Sequence, residues 1–180
     1  MVDTTILYSR ISKEVLSVKT LKITQLKPNP IGKDRPRLGG PTPTQLAAEW
    51  VDFLNTGNAL VRLVGVTLYH VAYAPGERNG RWEEVRKFTE NIEAGKVIRV
   101  HSGRPRDLSV IAMEDRLGAD SHLFTGRDAY VWNNKEGDIA SLWDTGITEF
   151  IDKASYDPNP PEGVILVRVG DKLVPAGVRV

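Results

Sequence analysis

An all-β domain is the fold class this chain predicts, and three stretches carry that expectation. In YVWNNKEGDIASLWD, residues 130–144, apolar residues flank a knot of Asn133, Asn134, Gly137 and Asp138. Asn, Asp and Gly tolerate positive φ and tight reversal, so the stretch reads as a β-hairpin. LKITQL, residues 21–26, alternates, with Leu21 and Ile23 on one face and Lys22 and Thr24 on the other. EWVDFLNTGN (49–58) and LVGVTL (63–68) add two further strand signals separated by a turn.

The elements follow in chain order. The first strand is ended by Lys27-Pro28-Asn29-Pro30, because proline removes ladder donors. Residues 32–43, rich in Pro and Gly, read as an exposed charged loop. Over residues 44–54 the signals conflict. Ala47 and Ala48 favour a short helix that Thr42 or Thr44 would cap, whereas Val51, Phe53 and Asn55 keep period two. A strand over 49–54 is expected, then strands over 59–63 and 66–73 and a reversal over 74–80. Trp82, Val85, Phe88 and Ile92 fit one face of a helix closed by Gly95. They fit equally an extended arm over 82–89, followed by a turn at 93–95 and a strand over 96–101. An irregular acidic segment reaching Gly118, a strand at 122–124, the hairpin, and a strand near 148–151 come next. After the stiff break at 157–161, a last hairpin is expected, 164–169 with 172–174, turning at Gly170-Asp171.

Composition excludes several function classes. With 41% hydrophobic and 26% charged residues over 180 positions, the chain is neither disordered by composition nor membrane-like, and one domain is expected. No apolar run reaches the roughly 18 residues of a membrane span, so no membrane insertion is expected. Residues 1–5 lack the basic and apolar regions of a signal peptide, which makes a cytoplasmic location the expectation. The absence of cysteine removes disulfides, thiol nucleophiles and thiolate zinc sites.

Catalytic and metal patterns are correspondingly thin. His70, His101 and His122 show no metal-ligand spacing. Asp120-Ser121-His122 holds triad residue types, but strand neighbours point to opposite faces. Glu114, Asp115, Asp120 and Asp128 lack the ordered spacing of a calcium loop, and no glycine-rich phosphate loop is present. No catalytic, metal or cofactor residues are therefore assigned, and a non-enzyme is expected.

The order of EWVDFLNTG (49–57), LVGVTL (63–68), IEAGKVIRV (92–100) and the WNN…GD of residues 132–138, after the strand at Leu21, resembles the lamin-tail domain family. The resemblance covers about residues 21–156. It implies an immunoglobulin-like two-sheet sandwich, and it favours strands over residues 82–100. Residues 1–20 and 157–180 fall outside it as an amino-terminal extension and a carboxy-terminal hairpin extension, with extra terminal strands. The chain departs from the family in lacking a coiled-coil rod, in Val66 where many relatives place Trp, and in a longer segment over 104–118. Trp50 and Trp132 are expected as core anchors, and Asn55 and Asn133 as bonds to turn backbone.

Functionally, the resemblance implies a structural or interaction module that binds a protein partner or self-associates through sheet edges and loops. The alternative is non-specific nucleic-acid binding. Residues 1–40 hold eight Lys/Arg against three Asp/Glu, and Lys27, Lys33, Arg35 and Arg37 are the candidate phosphate contacts, joined by Arg99, Arg104 and Arg106. Polysaccharide recognition would need exposed aromatics, for which Tyr69, Tyr73, Trp82 and Trp143 are candidates.

Overall fold

A computed structural model describes residues 19–33, 35, 38–73, 79–104 and 107–177. Residues 1–18 of the expected amino-terminal extension (1–20), Arg37, Arg106 and most of the reversal at 74–80 lie outside the described residues. The described residues form twelve strands: β1 (Leu21–Lys27), β2 (Trp50–Asn55), β3 (Val61–Arg62), β4 (Val66–Ala72), β5 (Arg81–Lys87), β6 (Asn91–Ile92), β7 (Val97–His101), β8 (Ser121–Phe124), β9 (Asp138–Asp144), β10 (Glu149–Tyr156), β11 (Leu166–Val169) and β12 (Lys172–Pro175). Two short helices accompany them, α1 (Pro43–Ala47) and α2 (Met113–Arg116), with a 3-10 turn at Leu108–Val110. The fold is all-β, as the alternation of apolar residues predicts.

Ten strands join in one curled sheet, in the order β5-β4-β9-β10-β12-β11-β1-β2-β7-β8, and β3 pairs with β6 separately. The carboxy-terminal hairpin is present and lies inside this order. β11 pairs antiparallel with β1, and β12 meets β10 in parallel at Ser155 and Lys172. It thus joins a β5-β4-β9-β10 half to a β1-β2-β7-β8 half.

The main core lies between the halves, and a small second cluster joins Ala47, Ile111 and Phe124. Ile23, Val51, Phe53, Ile98 and Val100 come from one half and Val66, Leu68, Ala140, Leu142 and Ala154 from the other. Each set alternates along its strand, which is why period two marked these segments. Phe53 meets Phe88 edge to face, with centroids 5.2 Å apart. Trp50 and Trp132 are buried, as expected.

Two local expectations are corrected. The hairpin at 130–144 has only its second strand, because β9 starts at Asp138 and residues 130–137 are irregular. The amides of Val131 and Trp132 donate to the Glu49 carboxylate, and that of Asn133 to Asp138, so no ladder partner is needed. Gly137 adopts φ 72°, and a Cβ there would stand 2.5 Å from the Tyr156 carbonyl oxygen, which only glycine avoids. The strand expected over 59–63 shrinks to Val61–Arg62, outside the large sheet.

Both halves of the conflict at 44–54 are realised. Thr42 caps α1 in a capping box with Gln45, and β2 follows directly. Asn55 ties its turn together as expected, donating to the Ala59 and Ile92 carbonyls and accepting from the Gly57 amide. Asn133 accepts from the amides of Lys135 and Glu136.

Candidate functional site

The outward faces of the two halves differ, and the difference locates the candidate site. On the β1-β2-β7-β8 half, register places Asp52 opposite Arg99 and Trp50 opposite His101. Arg99 clamps Asp52 through two bonds, Nε to Oδ1 at 2.7 Å and Nη2 to Oδ2 at 2.6 Å, and its guanidinium lies 3.6 Å from the Trp50 ring centroid. Its Nη1 donates to the carbonyls of Asp115 and Leu117, which anchors the segment containing α2 over this face. Asp115 in turn accepts from Lys27 Nζ at 2.7 Å and Trp50 Nε1 at 2.7 Å. Burial raises the Asp52 carboxyl, and Arg99 opposes the rise.

Glu49 is the second polar hub, fully buried. It accepts from Lys33 Nζ at 2.5 Å, from the Ser102 hydroxyl, and from the Val131 and Trp132 amides at 2.7 and 3.2 Å. Burial pushes its carboxyl up, while Lys33 and the other donors hold it down. Asp138 is the third hub, accepting from His70 Nδ1 at 2.9 Å and the Val71 amide at 2.7 Å.

His101, fully buried, donates from Nδ1 to the Ala47 carbonyl at 2.5 Å, and its Nε2 lies 2.9 Å from His122 Nδ1. Burial lowers its pKa from 6.5 to about 3. Below about pH 6.5 the unfolded chain takes up a proton that the folded protein refuses. Stability from this group is complete above about pH 6.5 and is lost as pH falls towards about 3. The raised Glu49 and Asp52 carboxyls act with the opposite sign. His101→Asn, which keeps a donor for Ala47, isolates the histidine contribution. Urea unfolding at pH 7 and pH 5 is expected to show a loss about 2 kcal/mol larger in wild type than in this variant.

These hubs determine where the sequence-predicted site residues stand. Lys27 and Lys33 are buried inside ion pairs with Asp115 and Glu49. Arg35 is exposed and faces Glu162 at 3.3 Å. Arg99 is buried against Asp52, and Arg104 pairs with Asp128. The basic residues are therefore not gathered on one surface among the described residues. Asp120 bonds Lys96 and the Val97 amide while His122 turns to His101, so the Asp120-Ser121-His122 trio is not assembled. Asp115, Asp120 and Asp128 each hold a different cation, Lys27, Lys96 and Arg104. No helix among the described residues is long and apolar enough to cross a membrane.

The outward face of the β5-β4-β9-β10 half carries an aromatic cluster set among polar residues. Register puts Trp82 beside Val71, Trp143 beside Thr67 and Phe150, and Ile139 beside Ser155. Phe150 packs between two indoles, 4.9 Å from Trp82 and 4.9 Å edge to face from Trp143. Thr67 and Ser141 are buried on the same face. Trp82 remains 43% exposed, a large value for the largest side chain. Trp82, Ile139, Phe150, Ile151, Asp152, Lys153, Ser155 and Asp171 line a groove of about 440 Å³. Lys153 Nζ sits 4.9 Å from the Phe150 centroid, and Asp152 is held by Arg168 and the Ile23 amide. The sequence named Trp82 and Trp143 as aromatic candidates but missed Phe150. The available signal was IASLW, residues 139–143, which is apolar at positions facing both ways. Both edges of the sheet are blunted: β5 carries five charged residues in seven and a bulge, and β8 has four residues.

No protein-family model matches the chain, and no curated protein matches its sequence.

Proposed function

We propose that this chain is a non-catalytic binding module of lamin-tail, immunoglobulin-like type, whose recognition surface is the aromatic face of β5, β4, β9 and β10. The observation that carries the reading is the Trp82–Phe150–Trp143 cluster, which lies on the sheet face away from the core. Aromatic side chains lining a groove with a few polar groups beside them are the usual make-up of a binding site. The buried charges support it from the other side: Glu49, Asp115, Asp138 and Arg99 are saturated by internal partners and tie loops to the sheet. The family-like residues Glu49, Trp50, Asn55 and Asn133 then serve the fold, and recognition falls to residues outside the motifs. Blunted edges favour the face over edge pairing.

The nucleic-acid alternative depended on Lys27, Lys33, Arg35 and Arg37, of which the first two hold buried carboxylates. Lys27→Ala and Lys33→Ala are expected to lower stability. Trp82→Ala is expected to keep the melting temperature within a few degrees, a cost of about 1 kcal/mol or less, because the ring is partly exposed. A panel of duplex DNA, neutral polysaccharide and the chain itself, each at low and moderate salt, tests the reading. Salt-insensitive association lost in Trp82→Ala supports it. DNA binding that falls steeply with salt and is unchanged in Trp82→Ala would overturn it.

A further inference from the structure

The same groove narrows the class of partner, an inference that rests on the binding-module reading above. We propose that it is a subsite for a neutral oligosaccharide, with pyranose rings laid against Trp82 and Phe150 and hydroxyls bonded at the rim. Size is the first argument. A groove of about 440 Å³ falls within the roughly 300–1,000 Å³ of small-ligand clefts. A stable protein interface needs about 800 Å² from each partner, with an extended apolar centre.

Lining is the second argument. Trp82, Ile139, Phe150 and Ile151 supply an apolar floor and wall, while Lys153 and Asp171 stand at the rim. A pyranose is amphipathic in the same way, with C–H faces that stack on aromatic rings and equatorial hydroxyls that require hydrogen-bond partners. Charge is the third. Asp152 is neutralised by Arg168, and Asp171, fully exposed, lies 3.7 Å from the same guanidinium. Lys153 balances the remaining carboxylate. A rim of balanced charge carrying both a donor and an acceptor suits neutral hydroxyls and gives a polyanion no advantage. Trp143 does not line the groove; it buttresses Phe150 from behind and fixes the ring orientation.

Affinity electrophoresis in native gels cast with laminarin, hydroxyethyl cellulose or xylan tests the inference, with light scattering on the same samples. Wild type, Trp82→Ala and Asp171→Ala are compared after circular dichroism confirms folding; Asp171 lies in an exposed turn, so its variant guards against loss of fold. The expected result is retardation by at least one neutral polysaccharide, unaffected by moderate salt. Trp82→Ala should weaken it about tenfold or more and Asp171→Ala severalfold. No retardation in any gel, with a concentration-dependent dimer that Trp82→Ala abolishes, would overturn the oligosaccharide inference and leave the binding-module reading standing. Absence of both would overturn the two together.

Discussion

Glu49→Ala is expected to cost about 3–5 kcal/mol, which approaches the whole stability of a domain this size. The substitution leaves Lys33 as a buried charge without its carboxylate, and it strips the Val131 and Trp132 amides of their acceptor. Residues 131–133 have no strand partner, so nothing else along the chain replaces those bonds. Glu49→Gln tests the same point with little change in shape, since its amide presents a donor to groups that all donate. A Glu49→Leu, Lys33→Met pair should recover part of the loss, because removing both charges also removes the desolvation cost. Urea unfolding of the two single variants and the double variant measures this coupling. Additive losses would show that the two side chains act independently.

Deleting residues 164–177 is expected to prevent stable folding. The hairpin β11–β12 occupies the middle of the sheet order, so its loss exposes the edges of both β1 and β10. Leu166 and Leu173, both buried in the core, go with it. Arg168, which pairs with Asp152 across from β1, is lost too. A shortened chain should show a weakened β signature by circular dichroism and aggregate through its open edges. The milder Leu166→Ala is expected to cost about 2–5 kcal/mol, as cavity-forming core substitutions do. A cooperative thermal transition in the shortened chain, close to that of the full chain, would contradict this role for the hairpin.

Much of the strand pattern was legible because the core-facing side of each strand is apolar. Leu21 and Ile23 alternate with more exposed neighbours, and Val51 and Phe53 alternate with Trp50 and Asp52, which are buried on the other face. The helix-like spacing of Trp82, Val85 and Phe88 has a definite physical origin. Leu68 pairs with Arg86 and Tyr69 with Glu84, so Val85 is an extra residue in a β-bulge. The bulge sets Val85 and Phe88, both buried in the core, three residues apart, while Trp82 lies on the opposite face of the strand. The half-hairpin at residues 130–137 was misread because the Glu49 carboxylate, 82 residues before Val131, satisfies the Val131 and Trp132 amides, a pairing no local pattern reveals.

The candidate groove was partly legible and the polar hubs hardly at all. Lys27 and Lys33 look like surface cations until Asp115 and Glu49 are brought beside them by segments 88 and 16 residues away. Asp52 and Arg99 interrupt apolar strands, a signal that becomes readable once the β2–β7 register sets them opposite each other. Trp82 and Trp143 could be named from sequence as candidates, but whether they faced core or solvent depended on strand pairing. Phe150 joined them only through the register of β9 with β10.

The most direct test of a recognition face separate from the structural charge network is fluorine NMR of the chain labelled with 5-fluorotryptophan. Four tryptophans report, two in the interior (Trp50 and Trp132) and two on the aromatic face (Trp82 and Trp143). On titration with soluble laminarin, hydroxyethyl cellulose and xylan, and separately with duplex DNA, the expected result is that at least one polysaccharide shifts Trp82 while Trp50 and Trp132 stay fixed, and that DNA shifts none. Shifts of Trp50 or Trp132 with DNA, and a silent Trp82 and Trp143 throughout, would contradict it.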